Sequence, residues 1–340
     1  MARRLIVVAF GMLAWLSAGL ARAQTALPDI PPFPFDSEAA KAYQQAHAKA
    51  ALLPGELTNA IGMKFVLVPP GTFTMGSPAA ETGRKDDERQ HSVTLTRGFY
   101  LGKHEVTVGQ FRKFVEATKY VTDIEKSGGG HAHDELAVWE HRPGTTWLKP
   151  GYAGPYKQAD EHPVVHVSHA DARAFCKWLS ALTGKSGESP FAREYVLPTE
   201  AQWEWACRAG SGTRFWWGDN EDTTGKVANV GDESLKRVHP DWPRTIMPMN
   251  DGHAFAAPVG SYRANAFGLH DMLGNVWEFC GSRHGAYREE PVTDPGDLGD
   301  KESYSVRGGG WSNVAADCRS ATRNSDPPHF GHSNLGFRVA

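Results

Sequence analysis

The residues most able to do chemistry lie between Gly268 and Phe279, where Asp271 and Glu278 stand seven residues apart. Between them come a Gly274-Asn275 turn signal and apolar Met272, Leu273, Val276 and Trp277. Hard cations such as calcium take carboxylates together with backbone carbonyl oxygens. An acid, a tight glycine turn and a second acid supply that mixture. A turn before a buried Trp, with both acids solvated, accounts for the same spacing, because Asp and Glu are usually exposed.

Other reactive side chains are scattered. His131 and His133 flank Ala132 behind Gly128-Gly129-Gly130 and before Asp134. A His-x-His beside an acid suits a transition metal, although a flexible surface loop is the simpler expectation. Cys176, Cys207, Cys280 and Cys318 form no CxxC pair, which argues against thioredoxin-like or structural-zinc sites. In an exported chain an even count permits two disulfides, with three possible connectivities. Buried free thiols are the alternative. The triple glycine Gly308–Gly310 lacks the Lys-Ser/Thr and following helix of a phosphate loop.

These groups need a scaffold. The 340 residues are 40% hydrophobic, enough for a real core, and a net charge of -3 offers no basic footprint for nucleic acid. Residues 1–23 read as a signal peptide. Arg3 and Arg4 precede an apolar run from Leu5 to Leu20, and Ala21-Arg22-Ala23 fits the cleavage site. No second apolar run spans a bilayer, so a soluble, secreted or periplasmic product is expected. Residues 24–60 read as a proline-rich linker, then a short peripheral helix from Asp36 or Ser37 to about Leu53.

The main domain, 61–340, opens with Met63–Val68 and Thr72–Met75, read as a hairpin across Pro69-Pro70-Gly71. Strands follow at Ser92–Leu95 and Phe99–Leu101, after a solvated loop over Glu81–Gln90. Thr107 caps a helix over Val108–Thr118. Ser168 with Asp171 begins another that Gly184 stops, and Thr199 with Gln202 forms a capping box for a helix through Ala209. Trp203 and Trp205 cannot share a face of that helix.

Leu197–Gly210, Gly268–Phe279, Arg307–Trp311 and Asn334–Arg338, in that order, resemble the formylglycine-generating-enzyme or sulfatase-modifying-factor family, from about Ile61 to Ala340. The resemblance implies an α+β fold, an irregular variant of the C-type lectin fold with little regular secondary structure and bound calcium. It places one calcium on the side chains of Asp271 and Glu278 with the carbonyls of Gly274 and Val276. It places a second on Asn229 and Asp251 with the carbonyls of Val230 and His253. Asp271 stands where the family more often has Asn, which keeps an oxygen ligand.

The family's catalytic part carries over poorly. Its enzymes hold copper(I) on two cysteines, five apart, after a Gly-Gly-Ser-aromatic motif. Counted from Gly308-Gly309, those positions fall on Asn313 and Cys318, and Gly310 replaces the serine; counted back from Arg323 and Asn334–Arg338, the segment is about three residues shorter and even Cys318 is displaced. A two-thiolate copper site is therefore not expected, and a Cys280–Cys318 or Cys207–Cys318 disulfide is. Catalytic candidates reduce to Cys318, Asn313, Trp311 and Arg323. The expected pocket comprises Trp277, Trp311, Asn313, Arg319, Arg323 and His329, with a scaffold role, closing the last turns of the domain, an equal expectation for Arg319 and Arg323.

Members lacking the cysteine pair include a periplasmic maturation factor that acts on a chromopeptide. The first functional expectation is thus an exported monomer that oxidatively tailors or matures a peptide or protein. The second is a non-enzymatic, lectin-like module binding a peptide or glycan. Genuine sulfatase activation comes third.

Overall fold

The computed structural model describes residues 26–133, 139–152, 154, 156–186, 194–221, 225–297, 299 and 302–340. The expected signal peptide, 1–23, and Asp134 lie outside the described residues, as does the side chain of His133. Among the described residues no helix is long and apolar enough to cross a membrane.

Helix α1 (Ser37–Ala51) starts where the Asp36 carboxylate accepts from the amides of Glu38 and Ala39, and ends at left-handed Leu52. It is not peripheral, as its alanine-rich face had implied. Ala40, Tyr43 and Ala48 are buried, because small side chains let the helix lie close to the sheet. Its polar residues dock on backbone: the Tyr43 hydroxyl donates to the Pro70 carbonyl, and the Gln44 amide to Leu67 and Phe267. Phe33 and Phe35, in the expected linker, pack on Trp205 with ring centroids 6.4 and 6.0 Å away.

Strands β1 (Glu56–Thr58), β2 (Lys64–Val68), β3 (Gly71–Met75), β4 (His91–Leu95) and β5 (Phe99–Gly102) follow. The expected β2–β3 hairpin does not form. β2 sits between β1 and β5, while β3 pairs with β4 in another sheet. Pro69 and Pro70 lack the amide hydrogens a ladder needs, and the chain turns there against Trp205. The Trp205 indole donates to the Pro69 carbonyl, and a Cβ on Gly71 would fall inside its ring.

Next come α2 (Val108–Thr118), α3 (Asp123–Lys126), β6 (Gly129–His133) and β7 (Trp139–Pro143). The glycine-histidine stretch is therefore a strand, with His131 opposite His141 in an antiparallel pair, rather than a flexible loop. α4 (His169–Ser186) and α5 (Glu200–Arg208) begin at the expected capping boxes. α6 (Glu233–Val238), β8 (Trp277–Arg283), β9 (Val292–Thr293), β10 (Tyr304–Arg307), β11 (Arg323–Asp326) and β12 (Leu335–Phe337) complete the chain. The four-stranded sheet runs β11-β10-β8-β12, with β12 parallel to β8.

The loop Glu81–Gln90, expected to be solvated, reaches the interior. Glu88 is fully buried because Arg319 meets both its oxygens. Under β8 and β10 lies a larger buried ion network. Glu200 accepts from Arg307 and Arg323, and Glu204 from Arg208 and Arg307. Trp203 and Trp205 are both fully buried, on different sides of α5: the Trp203 indole donates to Glu278.

Candidate functional site

Glu278 is the second residue of β8, which fixes it inside the sheet. Arg338 grips both its oxygens, at 2.6 and 3.0 Å, and the Trp203 indole donates to it at 2.8 Å. Arg338 is itself held by the carbonyls of Gly102 and His270. Asp271 has a left-handed backbone, φ 56°, and its Oδ2 accepts from the Gly260 amide at 2.6 Å. A third acid, Glu105, enters from the connection before α2 and accepts from the Asn275 amide at 2.9 Å. Spacing could not reveal Glu105, which is 173 residues from Glu278 in sequence.

Three buried acids face one arginine. Asp271 and Glu105 face each other, and Asp271 Oδ1 and Glu105 Oε2 are buried with no donor from any other residue. Burial, above all, pushes Asp271 up to about 6 and Glu105 well above the usual carboxylate range, and Asp271 raises Glu105 further. Two facing carboxyls short of counter-charge either share a proton, Glu105 donating to Asp271, or, when both are ionised, fit a hard cation. Glu278, the other expected ligand, has both oxygens engaged.

The second set lies beside it. Asn275 donates its backbone N–H to the Asn229 carbonyl at 2.8 Å, and the Asn229 side-chain amide donates to Asn275 Oδ1 at 3.1 Å. Asn229 Oδ1 is buried without a donor. Asp251 accepts from the amides of Val230 and His253, each at 2.9 Å. Burial pushes Asp251 up to about 7, with help from neighbouring Asp232. This set also fits an oxygen-seeking cation. Among the described residues no three His, Cys, Asp or Glu side chains form a metal-holding group. The expected sites would instead draw most ligands from asparagine and backbone oxygens.

The expected pocket divides. Trp277 and Asn313 line a cavity of about 240 Å³. The Trp277 indole donates to Asn313 Oδ1 at 2.9 Å, and the Asn313 amide donates to Asp317 at 3.3 Å. The other expected members are elsewhere. Arg319 is spent on Glu81 and Glu88, and Arg323 on Glu200, all buried. These arginines join the scaffold because unpaired buried carboxylates would otherwise be too costly. His329 is exposed and paired with Asp123 at 2.7 Å. Trp311 is packed under Phe255 and Tyr152.

The missed walls include Trp139, Arg244, Asn324, Asp326, Phe330 and His332. Alternation along β11 turns Arg323 toward Glu200 and leaves Asn324 and Asp326 facing the cavity. Asn334 opens the Asn334–Arg338 motif and His332 lies two residues before it, the one available signal for this wall.

All four cysteines are free and buried, which corrects the expectation of two disulfides and of a bonded Cys318. Each thiol is taken up by its own packing. Cys318 lies so close beneath Gly309 that a Cβ there would overlap its sulfur. Burial raises the Cys318 and Cys280 thiols well above their ordinary value and pushes Cys207 up to about 12. None is a ready thiolate. The donors around Asn313 are amides, a carboxylate and an imidazole, whereas copper(I) selects soft sulfur, so this pocket does not fit the family's copper centre.

Residues 52–340 match the sulfatase-modifying factor enzyme 1-like domain. A formylglycine-generating enzyme of Streptomyces coelicolor is 34% identical over 298 residues, covering 81% of this chain and 88% of that protein. An inactive Cα-formylglycine-generating enzyme 2 of Bos taurus is 30% identical over 317 residues, covering 84% and 90%. The solved structure of PvdO from Pseudomonas aeruginosa superposes with a TM-score of 0.65 at 28% identity, covering 84% of this chain and 97% of that one. With its mixed, irregular fold and its ordered motifs, the chain belongs to the formylglycine-generating-enzyme family.

Proposed function

We propose that this chain is an exported, calcium-stabilised factor that tailors or matures a peptide or protein without making formylglycine. The observation that supports this best is Asn313. By the count forward from Gly308-Gly309 it takes the place of the first copper-binding cysteine, and it lines the cavity, hydrogen-bonded to Trp277, while Cys318 is buried under Gly309. An amide cannot become a thiolate, so capture of a substrate thiol through sulfur-bound copper has no starting point here. What remains is a recognition pocket with acid–base groups, suited to one side chain of a polypeptide.

Calcium enters this reading as a scaffold ion. Asp271, joined by Glu105, would hold one ion with the carbonyls of Gly274 and Val276, and Asn229 with Asp251 would hold a second with the carbonyls of Val230 and His253. Bound there, it supplies positive charge to acids that lack it. The chain's own residues supply the pocket.

The test is incubation of copper-loaded protein with a peptide containing Cys-x-Pro-x-Arg, followed by mass spectrometry. No conversion to the aldehyde is expected. Catalytic conversion that is lost on Cys318→Ser would overturn the reading and make this a formylglycine-generating oxidase.

The second reading is a non-enzymatic binding module, which the similarity to a relative named inactive favours. A polypeptide retained unchanged in mass by the purified protein distinguishes it from a tailoring enzyme.

A further inference from the structure

The pocket beside Asn313 has walls of two chemical kinds. Trp139 and Phe330 flank His332, with ring centroids 5.2 and 5.6 Å from the imidazole. Trp277 has already given its indole N–H to Asn313, so it offers a ligand only apolar surface. The cavity of about 240 Å³ has room for one planar side chain rather than a folded partner.

The polar wall has an acceptor side, at His332 and Asp326, and a donor side, at Arg244 and Asn324. His332 Nδ1 faces the Asn334 side-chain oxygen at 2.5 Å, and the Asn334 amide donates onward to Ser312 at 2.8 Å. An oxygen acceptor at Nδ1 makes that nitrogen the N–H donor. In the neutral ring the lone pair is therefore on Nε2, which faces Asp326 across 3.6 Å, too far for a hydrogen bond. Asp326 has no hydrogen-bond donor among the described residues, so its carboxylate is a second waiting acceptor. Arg244 lines the same cavity from the outside and has no ion pair among the described residues.

Charge decides between ligand classes. Asp326 and Arg244 balance each other, so neither a cationic nor an anionic side chain gains a net attraction. A neutral planar group that donates a hydrogen bond satisfies the aromatic faces and the two acceptors together.

We propose that this pocket binds a phenolic side chain of a peptide, its ring against Trp139, Trp277 and Phe330 and its O–H donated to His332 Nε2 or Asp326. Arg244 and Asn324 then face the peptide backbone at the rim. This rests on the reading of the chain as a peptide-directed factor and names the side chain it recognises.

Tryptophan fluorescence or protein-observed NMR titrations with blocked amino acids test it. N-acetyl-tyrosinamide is expected to bind with a dissociation constant of about a millimolar, a reasonable limit for so small a ligand. N-acetyl-phenylalaninamide, lacking the hydroxyl, should bind about tenfold more weakly, since a site built for a hydroxyl rejects the analogue without one. His332→Ala should bring the two ligands to near-equal affinity. Trp139→Ala, at an exposed hairpin position, should weaken both alike while leaving the melting curve unchanged. p-Cresol, a phenol without the backbone, should bind more weakly than the blocked residue.

Equal binding of the tyrosine and phenylalanine ligands, tighter binding of N-acetyl-lysinamide, or no saturable binding overturns the phenol assignment. Equal binding of p-cresol overturns the peptide assignment. These outcomes are independent of the aldehyde assay, which alone decides whether the chain makes formylglycine.

Discussion

Asp271 shows how a single residue combines backbone strain with charge. Its positive φ is a conformation asparagine and aspartate tolerate better than most side chains, and it aims one oxygen at Gly260 while the other faces the Glu105 carboxyl. Because burial raises Asp271 to about 6 and Asp251 to about 7, the native state binds more protons than the unfolded chain between about pH 4 and 7. Without calcium, these two groups make stability fall as pH rises through that window. Calcium requires the ionised acids, so its stabilisation should grow over the same window. Melting curves with calcium or excess chelator at pH 5 and pH 7.5 check this. At pH 7.5, saturating calcium should contribute about 3 kcal/mol, and the gain should shrink at pH 5. Asp271→Asn should keep an oxygen ligand and flatten the pH dependence. An equal chelator effect at both pH values would sink the argument.

At the scale of elements, β8 brings the scaffold and the pocket together. Trp277 begins the strand and lines the cavity, Glu278 next to it is locked to Arg338 and Trp203, and β10 beside it places Arg307 among Glu200 and Glu204. Burial alone would raise Glu200, but Arg323 and Arg307 more than offset it and hold it at about 2. Its stabilising contribution is full above about pH 4.5 and is lost as pH falls toward 2. Arg323→Met should therefore destabilise the fold by about 3–5 kcal/mol, because Glu200 is left buried with less compensation. Chemical denaturation at neutral pH measures this. A loss below about 1 kcal/mol would mean that Arg323 is free to serve a ligand, as its expected place in the pocket had implied.

These elements also mark what was legible in sequence. Capping boxes at Thr107, Ser168 and Thr199 are local, so helix starts were readable from three or four residues. Asp271, Glu278 and Trp277 were readable because one motif carries all three. Glu105, Glu88 and Asp326 were not, since their roles depend on partners more than a hundred residues away or on strand alternation after a loop. Arg319 and Arg323 stayed open between pocket and scaffold for the same reason: an arginine's type does not tell whether acids already await it, and here they do. The family motifs made the fold recognisable, whereas the pocket's outer wall lies on segments with no such motif.

For the molecule as a whole, the cysteines and the amino-terminal arm make separate statements. Four buried free thiols predict that native protein reacts slowly with a thiol reagent and unfolded protein yields four equivalents without reductant. Two equivalents or fewer would restore a disulfide. The arm concerns domain limits. The family match begins at residue 52, yet residues before it complete the core. Phe33 and Phe35 cover Trp205, a Cβ on Gly210 would strike the Phe35 ring, and Tyr43 and Gln44 bind backbone carbonyls around β2 and β3. Removing residues 1–51 would expose Trp205 and one face of the first sheet, and would leave the Leu67 and Pro70 carbonyls to water. Burial of two to three aromatic side chains is worth roughly 5 kcal/mol, comparable with the whole stability of many domains. The truncated chain should therefore be recovered poorly or melt at least about 10 °C lower. Phe35→Ala in the intact chain should give a smaller loss of about 3 kcal/mol. A truncation that melts with the full-length protein would show that the core closes without its arm.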